Sequence, residues 1–68
     1  MEYIHEIKKG YHLLFSYKGW YIGSISAITS DVRVVMSKVG TNIFIRYELE
    51  SGLVQYVCDT YEEKRIGE

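Results

Sequence analysis

The one thiol in the chain, Cys58, is the strongest nucleophile the sequence offers. A reactive cysteine needs a base or a cation beside it to lower its pKa. Its neighbour is Asp59, whose carboxylate acts in the opposite direction, so Cys58 reads as a packed apolar residue at a strand end. His5 and His12 match neither one helical turn nor one strand face, and no carboxylate cluster joins them, so they predict no metal site. Gly19 and Gly23 bracket Trp20, Tyr21 and Ile22, with no Lys-Ser/Thr behind them to make a phosphate loop. Glu62 and Glu63 are adjacent on a charged tail, whereas glycosidic chemistry needs two carboxyls facing each other across a cleft. The residues therefore predict no enzyme, no cofactor and no metal.

What stands out instead is the aromatic content: seven Tyr, two Phe and one Trp in 68 residues. A buried tyrosine must keep its hydroxyl bonded or wet, and Tyr and Trp with Arg are the residues that anchor protein interfaces. Tyr17, Trp20 and Tyr21 flank the Lys18-Gly19 turn and form a candidate patch for a partner, to which Tyr47 and Tyr56 are added. Tyrosines filling out a thin core are the competing explanation. A second set, Lys18, Arg33, Lys38 and Arg46, could meet phosphates while aromatic faces stack bases. Arg33 and Arg46 fall mid-strand, where a sheet-face binder would place them.

Size and charge narrow the choice. The chain makes one domain, residues 1–68, near the lower limit for independent folding. A lone cysteine provides no internal disulfide, so a dense core or a partner surface must stabilise it. That argues for a larger protein partner or a homodimer. The first residues, MEYIHEIKKG, lack an apolar h-region, and no apolar run approaches the ~20 residues of a membrane span. A soluble protein of the reducing cytoplasm is the expectation. Residues 1–47 carry six basic side chains against three acidic ones, and residues 48–68 carry two against six. With a net charge of −1 the chain is too acidic for a dedicated nucleic-acid binder and too neutral for a DNA mimic.

The elements that must position these residues are strands. Tyr11 to Tyr17 alternates, with Tyr11, Leu13, Phe15 and Tyr17 on one face. Trp20 to Thr29 follows, and its Ile22, Ile25 and Ile28 spacing predicts a bulge near Gly23-Ser24 that brings Ile22 and Ile25 to the core side. Trp20 shares the parity of Ile22, which predicts Trp20 inward and Tyr21 outward. Val32 to Val39, Ile43 to Leu49 and Leu53 to Cys58 complete five strands, the last two joined by a three-residue Glu50-Ser51-Gly52 loop. Residues 2–9 read equally as a strand or a short helix. Thr60 and Glu63 form a capping-box pattern that predicts a short helix over 60–66.

The segment KGWYIGSISAITSDVRVVM resembles the strand–turn–strand centre of SH3-like barrels, the Tudor type especially. There an aromatic, a small residue and spaced aliphatics precede an acidic turn and a Val-rich strand. The resemblance covers about a quarter of the chain. The Sm-type barrel differs at two places: it wants its glycine one position after Gly23, and an Asn where Arg33 and Val34 stand. The expected fold is all-β, a small antiparallel meander curled into an SH3-like barrel with a short terminal helix. Two functions compete for it. One is a protein-interaction module that binds and regulates or inhibits a larger protein through its aromatic patch. The other is a small-barrel RNA or single-stranded nucleic-acid binder.

Overall fold

A computed structural model describes all residues, 1–68. The chain forms seven strands and no helix: β1 (Glu2–Ile7), β2 (Tyr11–Tyr17), β3 (Trp20–Ser26), β4 (Val32–Val39), β5 (Asn42–Leu49), β6 (Gly52–Cys58) and β7 (Thr60–Arg65). All ladders are antiparallel and divide into two sheets, ordered β1-β4-β5-β6 and β3-β2-β7. No ladder joins one sheet to the other, so the strands make two layers and not a closed barrel.

Period-two alternation decides which side chains meet between the layers. Leu13 and Phe15 of β2, Val34 and Met36 of β4, and Ile43 and Ile45 of β5 are buried there with Ile7, Ile25, Ala27 and Cys58. Tyr11, Val32, Tyr47 and Tyr56 pack against this core from its margins. Burying each large aliphatic stabilises the fold by roughly 1.5–3 kcal/mol, the main force holding two small sheets together.

Several local expectations hold. Strands fill residues 11–58 in the five places read from the pattern, and β2 and β4 have the predicted bounds, whereas β3 stops at Ser26, short of the expected Thr29. Others need correction. Residues 2–9 are the strand β1 followed by a turn. Residues 60–66 form no helix, because Thr60–Arg65 is taken up as a strand on the free edge of β2. A six-residue ladder satisfies more backbone groups than one or two frayed helical turns could. The meander is limited to β4-β5-β6. The β5–β6 loop is two residues, Glu50 and Ser51, since Leu49 pairs with Gly52.

The bulge in β3 exists, but one residue earlier than predicted. Phe15 pairs with Gly23 and Ser16 with Tyr21, which leaves Ile22 as the extra residue. Ile22 is 40% exposed and does not join Ile25 in the core.

Side chains link the layers along both flanks. On one, His5 Nε2 and Glu63 Oε1 are hydrogen-bonded at 3.0 Å, and Tyr61 pairs with Tyr3. On the other, the Phe15 and Tyr56 rings lie 4.6 Å apart at a 50° tilt. Gly23 sits beneath both rings: a Cβ there would fall 3.0 Å from Phe15 Cε2 and 3.4 Å from Tyr56 Cε1.

Candidate functional site

The β2–β3 hairpin carries the first three aromatic candidates. Its turn residues, Lys18 and Gly19, both have positive φ, 51° and 83°, the geometry of a tight primed turn that matches strand twist. Lys18 is the one non-glycine residue with positive φ. A single residue outside the hairpin holds the tip. Asp59, between β6 and β7, accepts the Lys18 N–H on its Oδ2 at 2.9 Å and donates its own N–H to the Ser16 carbonyl at 3.1 Å. Lys18 Nζ lies 5.3 Å from the centre of the Tyr17 ring, a cation–π contact.

On this anchored turn Trp20 is 77% exposed and Tyr21 is 65% exposed. The expectation that Trp20 is buried is wrong. Its parity is as predicted: Trp20 pairs with Tyr17, and cross-strand partners share a face, so both lie on the face of Phe15. That face is covered only where the other sheet lies over it, and at the hairpin tip nothing packs on the indole. Tyr21 pairs with Ser16 and belongs to the opposite face. The tip therefore presents one large aromatic to each side. Tyr17 is half-buried.

Tyr47 and Tyr56 sit elsewhere. Both are half-buried and pack on the core, Tyr56 against Phe15. Burial, with Tyr56 nearby as a lesser cause, pushes the Tyr47 hydroxyl pKa up. They fill the flank between the sheets and expose only part of each ring, so the five aromatic candidates divide into a tip group and a flank group.

The basic candidates divide as well. Arg33 and Arg46 line an open concavity of about 430 Å³ on the outer face of the four-stranded sheet, with Val35, Tyr47, Glu48 and Leu53. Lys38 and Lys18 do not line it; Lys18 belongs to the other sheet's hairpin. Each arginine already has an acidic partner from β1. Arg46 pairs with Glu2, and Arg33 Nε lies 3.7 Å from Glu6 Oε2. Lys8, at 2.6 Å, holds the Glu6 carboxyl below its ordinary range. These acids became neighbours of the arginines only because β1 pairs with β4, with Glu6 opposite Arg33. The period-two pattern of Tyr3, His5 and Ile7 was the sequence signal for that strand.

Cys58 is fully buried in the core, and burial together with Asp59 pushes its thiol pKa up. His5 is engaged by Glu63 across the flank. His12 lies on the outer face of β2, where its Nε2 has no hydrogen-bond partner. No group of three or more His, Cys, Asp or Glu side chains converges as a metal site would require. No helix is long and apolar enough to cross a membrane. Comparison of the chain with protein-family models, curated proteins and solved structures finds no match.

Proposed function

We propose that this chain is a protein-interaction module that docks on a larger protein through the tip of the β2–β3 hairpin and so regulates or blocks it. One observation carries the reading: Trp20 and Tyr21 are both largely exposed on a turn held from outside by Asp59. Large exposed aromatics stay in water at a cost that a partner's pocket removes, and Trp and Tyr dominate interface hot spots. A turn held in place loses little freedom on binding, which favours affinity. We also read the connectivity as that of an SH3-like barrel opened along its sides. The β2–β3 hairpin leads to the β4-β5-β6 meander, and β7 returns to β2.

The test is a pull-down from the source cell with wild-type protein and with Trp20→Ala and Tyr21→Ala. Both residues are exposed, so each variant keeps its fold within about 0.5 kcal/mol. Each weakens partner capture by about 1–2 kcal/mol, roughly tenfold. Full capture by the double variant would refute the docking site.

The alternative, RNA or single-stranded nucleic-acid binding, draws on Arg33 and Arg46 sharing one concavity. Glu2, Glu6 and Glu48 stand in the way of phosphate there. Binding that falls steeply with added salt and is lost in Arg33→Ala would favour this alternative over the hairpin.

A further inference from the structure

Two sheets leave four edge strands, and exposed edges invite pairing with other chains unless something blocks it. Three of the four edges here are guarded. β1 carries Glu2 and Glu6. β7 carries Glu62, Glu63, Lys64 and Arg65. β3 is bent by its bulge at Ile22. The fourth, β6, reads GLVQYVC: seven residues with no charge, no proline and no break in its ladder to β5. It pairs with β5 alone, and none of the other backbone hydrogen bonds in the molecule falls within Gly52–Cys58. Leu53 is 60% exposed and Val57 is 38% exposed on the outer face beside it.

We propose that β6 is a self-association edge, pairing antiparallel with β6 of a second copy to make one eight-stranded sheet about a two-fold axis. The strand is complementary to itself. An antiparallel pairing centred on Gln55 sets Leu53 against Val57 of the second copy, Val54 against Tyr56, and Gln55 against Gln55. Every apolar residue then meets an apolar residue on the same face, and the amides meet on the axis. The same operation on β1, centred on Ile4, would set Glu2 against Glu6, and on β7 it would set Glu62 against Glu62 or Glu63 against Glu63, pairs that repel. A foreign strand would meet no such matched sequence, which favours a second copy as the occupant. This inference does not depend on the hairpin tip, which belongs to the other sheet.

Charge swapping at the axis tests it without disturbing the core, because Gln55 is exposed. Sedimentation velocity should show wild type moving from monomer to dimer with rising concentration. Gln55→Lys and Gln55→Glu each place like charges across the axis, and each should raise the dimerisation midpoint about tenfold with an unchanged circular dichroism spectrum. An equal mixture of the two variants should recover dimers at the wild-type midpoint. Tyr21→Ala should dimerise normally. The proposal fails if wild type stays monomeric at the highest attainable concentration. It also fails if the single variants dimerise like wild type, or if the mixture does not regain the dimer.

Discussion

Gly23→Ala sets two opposing effects against each other, and the structure decides the sign. Gly23 has no positive φ, so alanine can adopt its backbone conformation. On entropy alone the change should stabilise by about 0.4–1 kcal/mol, because the unfolded chain has fewer states to lose. The new methyl, however, would stand 3.0 Å from Phe15 Cε2 and 3.4 Å from Tyr56 Cε1. Phe15 is completely buried and its ring is backed by Tyr56, so it cannot swing aside into solvent. Overpacking of this kind costs about 1–3 kcal/mol. The net loss is about 1–2 kcal/mol, from a domain whose stability is of the order of 3–5 kcal/mol. At about 4–8 °C per kcal/mol for this chain length, Tm should fall by about 5–15 °C. Thermal melts followed by circular dichroism measure it. In a Tyr56→Leu background the Phe15 ring has room to shift, and the Gly23→Ala penalty should shrink by about 1 kcal/mol in a double-mutant cycle. A Gly23→Ala protein that melts at or above the wild-type temperature would refute the close approach of the two sheets at this flank.

Two further outcomes follow from the same geometry. The pKa values of Cys58, raised by burial and Asp59, of Tyr47, raised by burial and Tyr56, and of Tyr61, raised by its hydrogen bond to Tyr3 and by burial, all lie above their unfolded values. Each such group binds its proton more tightly when folded, so its contribution is complete below the unfolded pKa and is lost as pH rises through the folded one. Urea midpoints should be level near neutrality and decline above about pH 9, starting from the thiol's ordinary pKa of about 8.5 and the phenols' of about 10. Cys58→Ala should delay the onset of that decline, and stability that rises between pH 8 and 10 would contradict it. At the hairpin tip, Asp59→Ala should cost about 1 kcal/mol through the lost Lys18 N–H bond. Lys18→Asn should gain about 0.5 kcal/mol, because Asn tolerates φ of 51° better. Equal stabilities in chemical denaturation would count against this account of the turn.

Much of the local structure was legible in the sequence, because strand and turn signals act over a few residues. Alternation in Tyr11–Tyr17 marked that strand and grouped Leu13 with Phe15 on one face, the apolar run Val32–Val39 marked another strand, and glycines marked the hairpin turns. Parity with Ile22 alone put Trp20 on the inward face. Whether that face is covered depends on where the opposing sheet ends, which no local pattern encodes, so Trp20 proved exposed. The same limit applies to Thr60–Arg65. Its capping-box residues are a local preference worth about 1 kcal/mol, while the open edge of β2 offers a whole ladder of hydrogen bonds. The candidate site divides the same way. Residue types pointed to Tyr17, Trp20 and Tyr21, but the hold of Asp59 on the turn is a contact between residues 41 positions apart. The acids beside Arg33 and Arg46 likewise come from β1, distant in sequence. Patterns over a few residues determined the five strands between Tyr11 and Cys58 and the turns that join them. Tertiary structure decided which strands share a sheet, how far each layer extends and which charges are neutralised, because those depend on chain segments meeting across the whole length of the protein.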